Sequence, residues 1–483
     1  MIGRVTQAAA LFAPLLLLGV LAAPSSAQAG ELVIHHSFPV AGSELSLVVE
    51  GLQPNGLALV TIGSGPPSLQ RAVWAQAEEI VSALDPLEAF LKVDSFGRLA
   101  VSAELESAAD VGAELDMLVQ DVATGAVSEI LRLRVVTPTV VVSSASSFER
   151  IDLTSGSVLT PALSRAGGLD GLAVSPDGRQ AYVLREQGLL EVISTAAWNA
   201  TLATHRLDPA SDTLAASPAA GVAFALARPG GQPFTPSGRL LFLDDDGPVG
   251  EPLLLEPMGQ TVAGERSVVT PDGLTAFVAE DDLLVREIDL LGRRSPNVFT
   301  AGRGGDLAIA DMALEGSRLL VTTRSLDGRA GTLTVLDLLS GRLDVQPLDI
   351  DPGRIVVLDD DLALVLPSAS SAFHVVEAGL VTRRVEGAGV WLDAAAHAGA
   401  AVLLRRDDAG MVNLDRFDPL AGLSTFVEGL PPADRVVTGG FSLAVLLGDP
   451  TGQVWLVNLD SGDTRRIMDV LADPTAPFDL LPQ

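Results

Sequence analysis

Short apolar stretches separated by turn residues run along most of the chain, and two of these stretches are nearly the same. VSPDGRQAYV (174–183) and VTPDGLTAFV (269–278) each place a tight turn before an apolar strand. In such a turn Pro presets the backbone φ, Asp caps the turn with its side chain, and Gly accepts a positive φ. Two looser copies are TPSGRLLFLDDD (235–246) and ALEGSRLLVTT (313–323). The pattern predicts a repeated strand–turn–strand unit.

A second motif lies between these turns and consists of a strand, a turn that contains Gly, and another strand. The first strand commonly ends in Asp-Leu or Asn-Leu. Its copies are FERIDLTSGSVL (148–159), VREIDLLGRR (285–294), LTVLDLLSGRL (333–343), FHVVEAGLVTRR (373–384), DRFDPLAGLSTFV (415–427) and VWLVNLDSGDTRR (454–466). The copies follow a period of about 43 residues with four strands in each unit, which is typical of a β-propeller blade. A β-sandwich does not keep one period over so much chain, and a β-helix has shorter repeats.

The repeat predicts about eight blades, with seven as the alternative because residues 185–262 are irregular. One recurrent strand per unit starts at Val140, Gln180, Arg239, Thr275, Arg318, Asp361, Ala401 and Ser442. The first unit lacks a strand ahead of it, and FDLLP (478–482) is predicted to supply that strand and close the ring. The SPDG turns should join the innermost strand of a blade to the next strand. The Asp-Leu turns should join the third strand to the fourth, on the same rim.

These repeats resemble a known family. SPDG followed by QAYV, then LLEVIS (189–194), and LTVLDLLSGRL elsewhere are similar to the YVTN-type repeats of bacterial secreted β-propellers. The resemblance covers residues 139–470. Tyr182 is the only tyrosine, and Phe242 and Phe277 take its place in other copies. Lactonase-like enzymes share this propeller type, so the resemblance implies a secreted propeller and leaves an enzymatic function open. The Gly-His and Trp-Asp pairs of WD40 repeats do not recur.

Residues 30–137 do not follow the period and are predicted to form a small Ig-like β-sandwich domain before the propeller at 138–483. Pro138 marks the boundary because proline breaks a strand. QRAVWAQAEEIVSAL (70–84) is a candidate helix. The strand-like stretches are ELVIHHSF (31–38), SELSLVVEGL (43–52), GLALVTIG (56–63), FLKVDSFGRLAVSAEL (90–105), ELDMLVQDV (114–122) and SEILRLRVV (128–136).

Residues 1–29 are predicted to be a secretory signal peptide that is cleaved after Ala29. Arg4 precedes an apolar stretch, and Ala27 and Ala29 are small residues at the positions that a signal peptidase recognises. An uncleaved anchor helix is the alternative, which Pro14 and the short apolar run disfavour. No later segment has the roughly 18 uninterrupted apolar residues of a membrane span. We therefore expect a secreted or periplasmic protein.

The composition excludes several kinds of site. The chain contains no cysteine, which excludes disulfides, thiolate catalysis and thiolate metal sites. A formal net charge of −30 predicts a surface that repels nucleic acid and anionic lipid. Lys92 is the only lysine, so a GxxxxGK[ST] phosphate loop is excluded. No motif points to a cofactor.

No catalytic constellation is apparent in the sequence. His35 and His36 are neighbours in a predicted strand, so their side chains point to opposite faces and do not share an ion. GFSLA (440–444) lacks the last glycine of a GxSxG nucleophile elbow. None of the five histidines forms a paired metal motif, and we interpret them as packing or solvent-facing groups: His35, His36, His205, His374 and His397.

Clusters of aspartate are the main candidate binding residues. They are Asp244, Asp245, Asp246, Asp281, Asp282, Asp359, Asp360, Asp361, Asp407 and Asp408. Strand alternation should place most of them on one rim, opposite the SPDG turns. Carboxylates that converge there would bind Ca²⁺ or a cationic partner, although no D-x-[DN]-x-[DN]-G loop is present. The favoured alternative is that these aspartates cap solvated hairpin turns.

The sequence favours a secreted, non-catalytic β-propeller that acts as a binding or scaffold module at the cell envelope or outside the cell. Its partner would be a protein or a surface polymer. One alternative is a lactonase-like hydrolase that uses the propeller channel. Another is a structural surface protein whose acidity serves solubility. A fold does not by itself decide between these functions.

Overall fold

The chain is known from a computed structural model, and every element named in its described part is a β-strand. No helix in that part has the length and apolar character needed to cross a membrane. The described residues are 32–36, 44–63, 79–81, 87–104, 114–135, 139–143, 147–153, 155–164, 169–174, 180–185, 188–194, 201–207, 211–217, 222–227, 239–244, 247–254, 267–270, 273–279, 283–302, 307–325, 328, 330–359, 361–397, 399–438, 443–448, 453–469 and 478–481.

These residues divide into two compact units. The first contains the described residues of Met1–His35, Leu47–Ala103 and Ala113–Arg134. The second contains those of His36–Ser46, Glu104–Gly112 and Val135–Gln483.

The N-terminal strands form two sheets, with strand orders β1-β2-β6 and β4-β5-β3-β7-β8. Their bounds are β1 Val33–His36, β2 Glu44–Glu50, β3 Leu57–Gly63, β4 Glu79–Val81, β5 Leu87–Lys92, β6 Leu99–Glu104, β7 Glu114–Asp121 and β8 Leu131–Arg134. Val60 and Val119 are paired across β3 and β7, and both are buried. The all-β prediction for this part of the chain is confirmed.

Two details of this part differ from the sequence-based predictions. The described residues of the candidate helix, Glu79–Val81, form a strand because they pair with β5; the rest of 70–84 lies outside the described residues. The single stretch FLKVDSFGRLAVSAEL contains two strands, β5 and β6. Asp94 turns the chain between them, since its Oδ1 accepts hydrogen bonds from the N–H groups of Phe96 and Arg98, both at 2.8 Å.

The rest of the described chain forms eight four-stranded sheets, numbered here in chain order. Sheet 1 contains β9 Thr139–Ser143, β10 Ser147–Asp152, β11 Val158–Ser164 and the last strand of the chain, β40 Phe478–Leu481; sheet 2 contains β12 Leu169–Val174, β13 Gln180–Arg185, β14 Leu189–Ser194 and β15 Thr201–Arg206. Sheet 3 contains β16 Ser211–Ser217, β17 Val222–Ala227, β18 Arg239–Asp244 and β19 Gly247–Leu254; sheet 4 contains β20 Ser267–Val269, β21 Thr275–Ala279, β22 Leu284–Asp289 and β23 Val298–Thr300.

The remaining four sheets follow the same plan. Sheet 5 contains β24 Leu307–Glu315, β25 Arg318–Ser325, β26 Gly331–Asp337 and β27 Leu343–Leu348; sheet 6 contains β28 Pro352–Asp359, β29 Leu362–Pro367, β30 Ala372–Glu377 and β31 Leu380–Glu386. Sheet 7 contains β32 Val390–His397, β33 Ala400–Arg406, β34 Val412–Asp418 and β35 Gly422–Leu430; sheet 8 contains β36 Arg435–Thr438, β37 Leu443–Gly448, β38 Gln453–Asn458 and β39 Thr464–Asp469.

From sheet 2 to sheet 8, neighbouring sheets pack with their first strands side by side, so the first strand of each of these sheets is the innermost one. Sheet 1 is completed from the far end of the chain, since β40 pairs with β9 and Leu480 lies opposite Val140. The predicted role of FDLLP is therefore confirmed. Arg465 in β39 adds a second tie between sheets 8 and 1, because its Nη2 donates to the carbonyl oxygens of Ser155 and Gly156, both at 2.9 Å.

The predicted roles of the two turn motifs are confirmed for most sheets. ALEGSR joins the first strand of sheet 5 to the second, and Gly316 in this turn has a φ of 54°. All copies of the second motif join a third strand to a fourth, and in LTVLDLLSGRL the turn glycine Gly341 has a φ of 67°. SPDG of residues 175–178 lies outside the described residues, but it falls between the first and second strands of sheet 2.

The prediction for Arg239 is wrong. This residue begins the third strand of sheet 3 rather than the second, which is Val222–Ala227. The residues that follow β18 explain why Arg239 was assigned to the wrong strand. Asp244 pairs with Gly247 across a short hairpin, so LDDDG forms the connection between the third and fourth strands.

Apolar side chains are buried mainly between adjacent sheets. Between sheets 6 and 7, Phe373 meets Trp391 and Phe417 edge to face, with ring centroids 5.5 and 5.3 Å apart. Leu364, Leu403 and other aliphatic residues complete this cluster. Such aromatic pairs add about 1 kcal/mol each beyond the burial of their area. Similar clusters of buried apolar residues lie between each consecutive pair of sheets from sheet 2 to sheet 8, and they hold these sheets in sequence.

Candidate functional site: the inner belt and the leucine turns

One position of the innermost strand is equivalent in sheets 2, 3 and 5 to 8. In five of these strands an irregularity of pairing directly precedes it, as between Ile309 and Asp311 in β24. We call this set the inner belt: Gly171, Thr213, Asp311, Arg354, Asp393 and Arg435. In sheets 5 to 8 the inner belt alternates acidic and basic residues.

The two acidic belt residues bind the backbone of the next sheet. Asp311 Oδ2 accepts a hydrogen bond from the N–H of Ile355 at 2.7 Å, and Asp393 Oδ2 accepts one from the N–H of Val436 at 2.9 Å. Both carboxylates are buried. The innermost strand is an edge strand, so some of its N–H groups have no partner in their own sheet. The belt aspartates satisfy these groups, which is a structural role.

Arg354 forms an ion pair with Asp393, so both oxygens of that carboxylate are engaged. The side chain of Arg354 is about half exposed, at 53 %, whereas that of Asp393 is 8 % exposed. Arg435 occupies the next belt position, directly before Val436. Arg354 and Arg435 therefore flank a buried carboxylate on the innermost strands.

Two further buried ion pairs lie deeper within sheets 2 and 7. Arg185 Nε and Glu191 Oε2 are 2.6 Å apart, and Arg405 Nε and Asp415 Oδ2 are 2.5 Å apart. The hydrogen bond to Asp415 raises the pKa of Arg405 above its ordinary value. All four side chains are buried, so these pairs are part of the packed interior and are closed to a ligand.

Glu315 is the most unusual carboxyl group of the described residues. It ends the first strand of sheet 5, its side chain is 0 % exposed, and within the described part of the chain neither oxygen has a hydrogen-bond partner. Arg318 Nη1 is 3.5 Å from Oε2. Burial raises the pKa of Glu315 to about 7, against the opposing effects of Arg318 and of the nearby Gly379 N–H. Arg318 also pairs with Asp361 of sheet 6 at 2.7 Å.

The candidate aspartates do not gather on one rim. Asp359 and Asp361 lie at the turn between the first and second strands of sheet 6, at the same end as the SPDG-type turns. Asp407 and Asp408 lie at the turn between the second and third strands of sheet 7, which is the opposite end. Asp407 and Asp408 therefore lie opposite the SPDG turns as predicted, whereas the prediction is wrong for Asp359 and Asp361, and the four do not share one rim.

The remaining candidates are only partly described. Asp244 ends a third strand, at the same end as Asp359. Asp407 caps its turn, since its Oδ1 accepts from the N–H groups of Ala409 and Met411 at 3.0 and 2.9 Å, and these bonds lower its pKa. No group of three histidine or acidic residues in the described part of the chain is arranged to hold a metal ion. Five candidates lie outside the described residues: Asp245, Asp246, Asp281, Asp282 and Asp360.

The histidines take packing positions where the structure describes them. His374 is buried in the third strand of sheet 6, and its Nε2 is 2.7 Å from Asp349 Oδ1. His397 ends the first strand of sheet 7, where burial and then Arg416 lower its pKa. It lines a small pocket with Asp415, Phe426 and three other residues. None of the described histidines belongs to the inner belt.

Exposed leucines lie in, or directly after, the turns between the third and fourth strands of three consecutive sheets. Leu339 of sheet 5, Leu380 of sheet 6 and Leu420 of sheet 7 are 86, 55 and 99 % exposed. We call these turns the leucine turns. They lie at the same end of the sheets as Glu315 and Asp361, because strands alternate in direction. Leu339 and Leu420 take the same place, two residues after a capping aspartate, whereas Leu380 is the first residue of β31.

Hydrogen bonds to a capping aspartate hold two of the leucine turns. Asp337 Oδ1 accepts hydrogen bonds from the N–H groups of Leu339 and Ser340, at 3.1 and 2.7 Å. Asp418 Oδ1 accepts from those of Leu420 and Ala421, both at 2.8 Å. These bonds lower the pKa of both aspartates, so the caps are ionised at neutral pH.

Contacts between sheets tie the three turns together. Gln346 of sheet 5 donates from Nε2 to the carbonyl oxygen of Gly379 at 2.7 Å, one residue before Leu380. Arg383 of sheet 6 donates to the carbonyl oxygen of Pro419 at 3.3 Å, one residue before Leu420. The turns of Leu380 and Leu420 are thus each hydrogen-bonded to the preceding sheet.

Sequence reasoning missed both features. The inner belt depends on pairing irregularities that composition does not show. The leucine turns had a weak signal in the sequence. A leucine stands in or directly after the turn in DLLSG (337–341), EAGL (377–380) and DPLAG (418–422).

The arrangement of the sheets matches solved β-propeller proteins. BamB from Moraxella catarrhalis gives a TM-score of 0.50 at 12 % identity, over 65 % of this chain and 92 % of that chain. The dihydro-heme d1 dehydrogenase NirN in complex with DHE gives 0.52 at 18 % identity, over 69 % and 75 %. The chain has a β-propeller fold. At these identities the likeness shows the fold alone. No protein-family model and no curated protein matches the chain.

Proposed function

We propose that this protein is an exported, non-catalytic β-propeller that acts as a binding or scaffold module in the periplasm or outside the cell. The observation that carries this proposal is the set of leucine turns. Three exposed apolar side chains at the hydrogen-bonded connections of adjacent blades resemble the preorganised contacts that protein interfaces use. The buried belt carboxylates support a non-catalytic channel, because they are engaged by backbone N–H groups.

Export and domain organisation belong to the same proposal. Residues 1–29 act as the signal peptide, 30–137 as the Ig-like β-sandwich domain and 138–483 as the propeller, of the YVTN type and with eight blades. N-terminal sequencing of the exported protein tests the first part, with a mature chain expected to begin at Gly30. A mature chain that still begins near Met1 would contradict it.

Photocrosslinking in cells tests the binding role. A photoreactive amino acid at position 420 should give a discrete crosslinked product. The same residue at position 202, an exposed leucine of the fourth strand of sheet 2 and 54 % exposed, should give none. No product from 339, 380 or 420 would contradict the binding role and leave a purely structural surface protein as the simpler explanation.

A lactonase-like hydrolase is the second candidate, because the inner belt places Arg354 and Arg435 on the innermost strands. Its test is hydrolysis of a panel of lactones and esters by the purified protein. An activity that is lost in Arg354→Ala and kept in Arg342→Ala, an exposed arginine of a turn in sheet 5, would favour the enzyme over the binding module.

A further inference from the structure

We propose that Glu315 is a proton-sensitive switch: when it loses its proton it draws Arg318 away from Asp361, and this rearrangement displaces the leucine turn of sheet 6. That turn consists of Glu377–Leu380. The proposal describes a change of conformation and requires no partner, so it stands apart from the proposed binding function.

The surroundings of Glu315 are those of a protonated carboxyl group. Its side chain is 0 % exposed, and among the described residues neither oxygen has a hydrogen-bond partner. An ionised carboxylate without water or donors is strongly disfavoured. Arg318 lies opposite Glu315 across the β24–β25 turn, yet its Nη1 is 3.5 Å from Glu315 Oε2 and only 2.7 Å from Asp361 Oδ1. The guanidinium is therefore bonded to the exposed carboxylate and not to the buried one.

Loss of the proton from Glu315 reverses this preference. A negative charge on Glu315 attracts Arg318 more strongly than Asp361 does, because buried charges are screened less than exposed ones. The side chain of Asp361 is 74 % exposed, so water solvates its carboxylate once the guanidinium has moved. The N–H of Gly379 is a second group that favours ionised Glu315. Ionisation therefore pulls a side chain of sheet 5 and a backbone group of sheet 6 towards one buried carboxylate.

The leucine turn of sheet 6 lies directly against the groups that move. A Cβ atom at Gly379 would be 3.1 Å from Arg318 Cδ, so this backbone contacts the arginine side chain. The N–H of Ala378 donates to the carbonyl oxygen of Asp361 at 2.8 Å. Ala378 and Gly379 both have a positive φ, 50° and 76°, as in a tight two-residue hairpin turn. Such a turn has no spare length, so a shift of Arg318 or Asp361 displaces Leu380 as well.

The switch should operate near neutral pH. Burial raises the pKa of Glu315 to about 7, and the charge of Asp361 adds to this rise, whereas Arg318 and the N–H of Gly379 oppose it. Arg318 stays charged throughout this range, since its hydrogen bond to Asp361 and the charges of Glu315 and Asp337 raise its pKa. Arg318 therefore stays on Asp361 below pH 7 and moves to Glu315 above it.

A spin label at position 380 tests the proposal on the purified protein. The chain contains no cysteine, so Leu380→Cys provides a single labelling site. We expect the EPR line shape of the label to change in one transition with a midpoint near pH 7. Glu315→Gln in the labelled chain should abolish the transition. Asp361→Asn should move the midpoint to lower pH, because it removes the competing partner of Arg318 and a charge that raises the pKa of Glu315.

Two controls use positions away from the switch. A label at Leu420→Cys lies in the leucine turn of sheet 7, which Asp418 caps, and should show no transition near pH 7. Glu386→Gln removes an exposed carboxylate at the far end of β31 and should leave the midpoint at position 380 unchanged. Circular dichroism at about pH 6, where Glu315 is protonated, should show that each labelled variant is folded.

The proposal is overturned if the line shape at position 380 stays constant from acid to alkaline pH, or if the transition persists in Glu315→Gln. A constant line shape beside a pH-dependent stability would mean that Glu315 titrates without moving the turn. A midpoint that is unchanged in Asp361→Asn would also contradict the proposal, because Arg318 would then not pass from one carboxylate to the other.

Discussion

The buried carboxyl of Glu315 makes the stability of the propeller depend on pH in a way that one substitution should abolish. Its pKa is raised to about 7 in the folded chain, mainly by burial, from a value of 4.5 in the unfolded chain. Below pH 4.5 both states hold the proton, and the group favours neither. As the pH rises towards 7 the unfolded chain releases the proton while the folded chain retains it, so the free energy of unfolding falls.

The size of this effect follows from the shift. A difference of roughly 2.5 pKa units corresponds to about 3 kcal/mol above pH 7, since each unit is worth about 1.4 kcal/mol. Glu315→Gln removes the titration and keeps nearly the same volume. We therefore expect the variant to match the unaltered protein near pH 4.5 and to be more stable by up to about 3 kcal/mol at pH 8. Arg318 keeps its second partner, Asp361, in the variant.

The assay is urea unfolding at several pH values between 4.5 and 8, followed by tryptophan fluorescence. Glu377→Gln is the matched control because Glu377 is exposed, and its stability difference should stay near zero throughout. A difference for Glu315→Gln that is the same at every pH, or a loss of stability at pH 8, would refute the reasoning. The first result would mean that Glu315 is already ionised in the folded protein.

Three more changes test other features. Asp393→Ala leaves the N–H of Val436 unpaired, so urea unfolding should show a loss of about 1–3 kcal/mol, with Asp393→Asn costing less; a loss well below about 1 kcal/mol would contradict the role of the belt. Arg465→Ala should cost about 1–2 kcal/mol and speed proteolysis of the C-terminal region, and unchanged digestion would show that this tie is dispensable. Gly389→Ala should destabilise more than Gly399→Ala in thermal melts, because a Cβ at 389 would lie 2.2 Å from a backbone oxygen whereas that at 399 meets nothing within 4 Å; equal effects would point to φ alone.

Much of the fold was predictable because turn chemistry repeats along the chain. Proline, aspartate and glycine at fixed spacing predicted most of the strand connections, and the strand missing from the first unit predicted the closing strand at 478–482; the structure has both. Arg239 was misplaced because TPSG imitates the first turn motif, while the LDDDG that follows decides the strand position. Local resemblance of a turn does not by itself determine which strands it connects.

The candidate site was less predictable, for physical reasons. Whether Asp311 reaches the next sheet depends on a pairing irregularity two residues earlier, and such irregularities have no reliable sequence signal. The acidic clusters were visible in the sequence, but their grouping depended on the strand that each one follows. A carboxylate that follows one strand lies at the opposite end of the sheet from a carboxylate that follows the next strand.

The closing of sheet 1 has a consequence for the order in which the propeller folds. Sheets 2 to 8 consist of consecutive hairpins, whereas Arg465 must find Ser155 across 310 positions, a loop whose closure costs roughly 5 kcal/mol of chain entropy. During synthesis these hairpins can assemble as each segment emerges, but the seam stays open until residue 478 is available. Until then β9 offers an unpaired edge, and a β40 from another chain can fill it. Exchange of this strand between copies is therefore the expected route to misassembly.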